Sequence, residues 1–378
     1  MFKVNWERKN SDSEKWHKYA GRDVLPMWIA DCEFEAPDGV KAALQERLNQ
    51  GVFGYPYLTD EFKDAVVQHC RRLYGWAVRP EWVSWLNGVV PGLNLTRALV
   101  RARGKSEALT VEPVYPHLRK HTPIIDFKNV ASGVVLEKGR WLPDFAALEA
   151  NVNANTGLLL LCSPHNPIGT VYSREELERF HAIARRHDLL VCADEIHCDL
   201  ILNGQRHIPF ASLDEDAAQR TITLMAASKT FNIAGLCTAW AIIPNPELRR
   251  EFARLRAGIS GDANLFGQRA TIAALTTGED WRQQQLAYLR DNERLLRERL
   301  NATGKLTVTE VGATYLAWID CRALPVANAQ QFFEQHGVGL SDGADFGTPG
   351  FVRLNFGCGR ELLEEALQRM EKALATLA

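Results

Sequence analysis

"TLMAASKTFNIAG", residues 223–235, is an apolar run that reaches a lysine and then turns. The stretch reads as a buried strand ending on Lys229, with Thr230, Phe231, Asn232 and Gly235 carrying the chain around. A buried ammonium without a partner is expensive, and such a group lowers its pKa rather than keep its charge. A strand-end lysine can instead snorkel to water. The neighbouring strands decide between the two.

On either side, the sequence alternates strands and helices. "TGLLLLCS" (156–163) is a continuous apolar run of buried-strand length, followed by the loop "PHNPIGTVY". "SREELERFHAIARRHD" (173–188) reads as a helix, with Ser173 and Glu176 in a capping-box pattern and Leu177, Phe180, Ile183, Ala184 and His187 at helical spacing. "LLVCADEI" (189–196), "TITLMAAS" (221–228) and "TAWAIIP" (238–244) are further buried strands. Apolar strands separated by helices imply a mostly parallel sheet covered on both faces, an α/β fold whose ligands gather outside the carboxyl ends of the strands. Asn166, Asp194, His197 and Lys229 all fall at such ends.

The last third differs. "WRQQQLAYLRDNERLLRERL" (281–300) is a long amphipathic helix, followed by the strands "TYLAWID" and "FVRLNFG" and a closing helix from Arg360. We expect a large domain over 46–284, a small C-terminal domain over 285–378, and an N-terminal segment, 1–45, packed with the small domain.

Composition narrows the function. The chain has 378 residues, 46% hydrophobic and 24% charged, with a formal net charge of -2, which gives no electrostatic case for nucleic acid or a membrane surface as partner. "RARGK" (101–105), the densest basic cluster, reads as a solvated turn. The eight cysteines form no CxxC pair, so neither a zinc site nor a dithiol redox motif is indicated, and no metal is expected. The N-terminal stretch lacks a signal peptide's apolar core, and no run approaches the roughly 20 apolar residues that span a bilayer. A soluble, cytoplasmic protein is expected.

A lysine facing a carboxylate on a neighbouring strand end is the arrangement of a Schiff-base lysine. Pyridoxal 5'-phosphate chemistry asks a protein for an amine, an acid for the ring nitrogen, a phosphate cradle and a cation for the substrate carboxylate. Lys229 is the candidate amine and Asp194 in "CADEIH" the candidate acid. His197 and Asn166 could bear on the ring 3'-oxygen. "NGVVPGLNLTRALV" (87–100) puts a Gly/Pro turn before a helix, where free N–H groups at Val89 and Val90 would take a dianion. Ser228 adds a hydroxyl, Tyr115 could stack on the ring, and Arg353 in "FVRLNFG" offers a fork for an α-carboxylate.

Taken together, "SPHNPIG", "ADEIHCDLIL", "SKTFNIAGL" and "FVRLNFGCGR" resemble the aminotransferase-like, fold type I pyridoxal-phosphate enzymes over nearly the whole chain. "MWIADCEFEAP" (27–37), "GVFGYP" (51–56) and "HIPFASL" (207–213) sharpen the likeness to the MalY/PatB group of cystathionine β-lyases and related carbon–sulfur lyases. The resemblance implies that Lys229 attaches the cofactor and then moves the Cα proton. It implies Asp194 on the pyridine nitrogen, Asn166 and His197 near the 3'-oxygen, Tyr115 on the ring, and Val89, Val90 and Ser228 on the phosphate. Arg353, with Asn166, would bind the substrate carboxylate. Tyr55 of "FGYP" would reach the phosphate of a neighbouring subunit in a homodimer. Most aminotransferases of this fold carry a serine three residues before the lysine and an arginine eight after it; here stand Ala226 and Cys237. The resemblance implies α,β-elimination of L-cystathionine or another S-substituted L-cysteine. The alternative is an aminotransferase using the same residues. A non-catalytic cofactor-binding regulator lacks a basic DNA-binding module in this sequence.

Overall fold

Apolar runs with no side chain to satisfy their peptide groups must satisfy them on one another. In the computed structural model, which describes residues 8–120, 125–262 and 264–377, these runs build a seven-stranded sheet. Its strands are β1 (Val83–Leu86), β2 (Glu107–Val111), β3 (Lys128–Ser132), β4 (Thr156–Cys162), β5 (Leu190–Asp194), β6 (Thr221–Met225) and β7 (Ala239–Ile242). They lie in the order β1-β7-β6-β5-β4-β2-β3. Only β7 runs against its neighbours, so the expected mostly parallel sheet is present with one reversed strand. β4 and β6 are buried at every residue, as their unbroken apolar sequences require.

Among the helices that frame the sheets are α1 (Asp38–Asn49), α2 (Val89–Ala102), α3 (Arg174–Arg186), α4 (Leu265–Thr277), α5 (Glu279–Ala302) and α6 (Arg360–Ala375). The Ser173 capping box forms at the start of α3. The Ser173 hydroxyl accepts from Glu176 N, and Glu176 Oε2 accepts from Ser173 N at 2.8 Å. α2 sits directly on the sheet because Gly92 lets it: a Cβ there would stand 2.8 Å from methyls of Leu224 and Leu86.

The strand expected to end on Lys229 ends earlier. β6 stops at Met225, and its last partner on β5 is the pair Asp194 and Leu224. The chain then leaves the sheet in a tight turn, with Phe231 N donating to Ala227 O and Ile233 N to Ser228 O. Lys229 therefore stands on a turn, held at the sheet's edge by main-chain bonds.

A second sheet of four strands comes next: β8 (Thr307–Val308), β9 (Leu316–Asp320), β10 (Ser341–Asp342) and β11 (Phe351–Asn355), ordered β8-β9-β11-β10 and wholly antiparallel. Leu296 of α5 and Leu363 and Leu367 of α6 close its core. The N-terminal segment splits between the two units. Leu25–Pro26 pairs with Val338–Gly339, and Met27, Cys32 and Phe34 join the small core, whereas α1 packs on α4. Residues 1–7 of that segment lie outside the described residues. Among the described residues no helix is long and apolar enough to cross a membrane.

Candidate active site

The carboxyl ends of β1, β2, β4, β5 and β6 open on one edge, and the loops and helix that leave them converge on a cavity of about 180 Å³. After β1 come Val89 and Val90, the first residues of α2; after β2, Tyr115; after β4, Asn166; at the end of β5, Asp194 with His197; after β6, Ser228 and Lys229. These eight sequence candidates of the large domain thus line one space. Arg353 reaches it from β11 of the other unit: its Nη1 donates to Asn166 Oδ1 at 3.1 Å. The ninth large-domain candidate, Tyr55, does not line the cavity; it lies fully exposed, at 106%, on a loop beside exposed Phe53 and Tyr57.

Burial sets the protonation states. Lys229 is pushed below its ordinary pKa by desolvation, with Asp31 opposing and Arg353 assisting. Its Nζ donates to Ala30 O at 2.7 Å. Asp194, 3% exposed, is raised to about 7 by burial, which the Ile196 N–H on Oδ1 only partly offsets. His197 is pushed down to about 3 by burial, with Lys229 and Arg353 adding to it, so its ring is neutral at physiological pH. Its Nδ1 is buried with no hydrogen-bond partner among the described residues. Burial also lifts Tyr115 to about 12 and lowers Arg353 to about 10. Arg353 remains a cation at neutral pH, its guanidinium 4.6 Å from the centre of the Phe346 ring and its Nη2 donating to Trp28 O at 2.8 Å.

These residues fit pyridoxal 5'-phosphate. The cavity carries an amine of depressed pKa, an acid whose proton a ring cation would displace, an unpartnered imidazole nitrogen, and the N-terminus of a helix of 14 residues whose first N–H groups have no intrahelical acceptor. Cys237, which stands where most aminotransferases carry an arginine, is exposed, with φ 47°, outside the cavity. Among the described lining residues Lys229 is the one basic side chain, and the end of α2 and the Ser228 hydroxyl face the same space.

Three contributors escaped the sequence reading. Ala30 acts through its carbonyl, which no residue type announces. Cys162 of "LLLLCS" was read only as a small hydrophobe, yet it lines the cavity and its Sγ accepts from Asn166 N at 3.4 Å. Phe346 flanks the arginine from a short 3-10 turn whose sequence carries no periodic signal.

Proteins with this layout, a cofactor crevice at the carboxyl edge of a mostly parallel sheet and an arginine supplied by a smaller unit, make up the fold type I class of pyridoxal-phosphate proteins. The aminotransferase class I and II family model matches residues 22–370, and the chain belongs to that family. Cystathionine beta-lyase PatB of Bacillus subtilis is 35% identical over 98% of each chain. The crystal structure of OvoB is 47% identical, with a TM-score of 0.96 over 99% of this chain and 98% of that one. Cystalysin from Treponema denticola, whose structure contains pyridoxal 5'-phosphate, is 30% identical, with a TM-score of 0.94 over the full length of both.

Proposed function

We propose that this chain is a pyridoxal 5'-phosphate-dependent carbon–sulfur β-lyase. It cleaves L-cystathionine or related S-substituted L-cysteines by α,β-elimination to a thiol (homocysteine from cystathionine), pyruvate and ammonia. The observation that carries this reading is the meeting of Asp194, at the end of β5, with Lys229, on the turn that follows the adjacent β6, in a cavity closed by Arg353. The names of full-length relatives, PatB among them, favour the lyase over the aminotransferase.

Pyridoxal 5'-phosphate, when bound, supplies an aldehyde for the substrate amine and a ring that accepts the electrons left at Cα. Lys229 holds that aldehyde between turnovers and, once released, takes the Cα proton on Nζ; burial keeps its neutral form within reach. The Cβ–S bond then breaks with its electron pair leaving on sulfur, and water hydrolyses the 2-aminoacrylate to pyruvate and ammonia. Asp194 would hold the ring nitrogen, whose positive charge would favour the ionised carboxylate. Arg353 and Asn166 grip the substrate carboxylate and align Cα–H with Lys229. Asn166 and His197 would bear on the 3'-oxygen, Tyr115 would cover the ring, and Val89, Val90 and Ser228 would hold the phosphate.

The working unit in this reading is a homodimer, with Tyr55 reaching the neighbouring phosphate. The exposed run Val52, Phe53, Tyr55 and Tyr57 supports it, since contiguous apolar surface of this kind marks an interface. The domains divide at 1–45, 46–284 and 285–378, the last boundary falling within α5. Its Trp281 packs against both cores. Eight cysteines without a disulfide support a reducing, cytoplasmic setting.

The test is an absorbance scan of purified protein with pyridoxal 5'-phosphate, then a pyruvate assay with L-cystathionine. A band near roughly 420 nm that Lys229→Ala abolishes, together with pyruvate, is expected. Pyridoxamine accumulating without pyruvate would establish the aminotransferase, and no band would remove the reading altogether.

A further inference from the structure

Lys229 Nζ bonds to a main-chain carbonyl on a segment 199 residues away in sequence. That segment, 28–34, has no regular structure of its own beyond a bridge at Phe34. Side chains hold it carbonyl by carbonyl. Trp28 O accepts from Arg353 Nη2 and Ser341 Oγ, both at 2.8 Å. Ile29 O and Asp31 O accept from one amide, Asn355 Nδ2, at 2.6 and 2.9 Å. Cys32 O and Phe34 O accept from Asn232 Nδ2 at 3.0 and 2.7 Å. The Ala30 carbonyl is the one left facing the cavity, where it takes Lys229 Nζ at 2.7 Å and the Tyr315 hydroxyl at 3.3 Å.

Asn355 is the side chain that grips both carbonyls flanking Ala30, sharing Asp31 O with Lys15 Nζ at 2.9 Å. It is fully buried, two residues beyond Arg353 on β11, and its Oδ1 is fixed in turn by Gly357 N at 2.7 Å. Its amide clamps the peptide on each side of Ala30. We propose that Asn355 is a positioning residue for Lys229: by holding Ile29 and Asp31 it aims the Ala30 carbonyl, and that carbonyl holds the lysine amine whenever the amine is free. An amine that donates one hydrogen to Ala30 O has its direction fixed, which is the state needed to receive the Cα proton. One strand thus carries both the residue that orients the substrate, Arg353, and the residue that orients the base. This rests on Lys229 being the proton-moving amine.

The test uses the apoprotein. Covalent uptake of pyridoxal 5'-phosphate, followed by absorbance against pH, reads the titration of Lys229. The charged and titratable groups facing that amine are Asp31 and Cys32 on the segment, Asp194 and His197 from the large unit, and Arg353. None is altered by Asn355→Ala or by the milder Asn355→Ser. An ammonium that loses its acceptor is harder to keep charged, so both variants move the uptake midpoint down, by about half to one pH unit. In the loaded enzyme kcat falls about tenfold, with KM changed less than about twofold, as expected for a misdirected base beside an intact carboxylate site. Leu367→Ala, which empties core space in the same unit, lowers thermal stability without moving the midpoint. Folded Asn355 variants with the wild-type midpoint and kcat would overturn the proposal alone. A wild-type apoprotein that takes up no cofactor would overturn it together with the function it rests on.

Discussion

Asp194 shows most directly what burial does to one residue in this cavity. Its pKa rises from 3.8 to about 7 on folding, chiefly by desolvation. The folded apoprotein holds that proton more tightly than the unfolded chain does, so this group costs stability progressively as pH climbs between those values and fully above them. The cost is on the order of 4 kcal/mol at pH 8. Asp194→Asn removes it: the melting temperature of the apoprotein should rise at pH 8 and change little at pH 4. The same variant, with a neutral amide opposite the ring nitrogen, should lose pyruvate turnover by about 100-fold or more. A calorimetric scan at the two pH values and one kinetic assay check both halves. Asp194 and Lys229 were legible in the sequence because each is a polar residue breaking a buried apolar run. Ala30 was not, because its contribution is a carbonyl that every residue possesses.

Among the elements, α2 is positioned by what it lacks. Gly88 starts it, Val89 and Val90 present its first N–H groups to the cavity, and Gly92 seats it against Leu86 of β1 and Leu224 of β6. Gly92→Ala puts a methyl into space already filled, costing about 1–3 kcal/mol and lifting the helix off the sheet. The helix end moves with it, so affinity for pyridoxal 5'-phosphate should fall about tenfold while the Lys229 absorbance band stays in place. An absorbance titration of the apoprotein measures this. The helix itself was readable from the Gly/Pro signal at its start, but Pro91 and Gly92, expected in a turn before it, lie inside its first turns. α3 was readable too, and its Ser173–Glu176 box formed as expected. The end of β6 was misread because hydrophobicity continues through Ala226 and Ala227 after the hydrogen-bond ladder with β5 has run out.

At the scale of the molecule, the site draws on two units of one chain and, in the proposed dimer, on a second chain. If Tyr55 of one subunit completes the cavity of the other, Lys229→Ala and Tyr55→Ala each inactivate it, yet mixed dimers carry one native site. An equimolar refolded mixture should then recover about a quarter of wild-type activity, the statistical share for a two-fold dimer. No recovery would mean that Tyr55 serves its own subunit, and an active Tyr55→Ala variant would mean that it serves neither.

Residue order was enough to specify the α/β sheet and to mark the candidate lysine and its candidate acid, the candidate helix end and the candidate arginine. Each of these is a residue type that its neighbours in the chain make conspicuous. It took the folded chain to establish that Arg353 meets Asn166, that Tyr55 lies apart from the cavity of its own chain, that β7 is reversed, and that Lys229 leans on Ala30 under the grip of Asn355. Those facts join residues far apart in sequence through main-chain carbonyls and side-chain forks, and such partners are chosen by packing, which periodicity and composition do not encode.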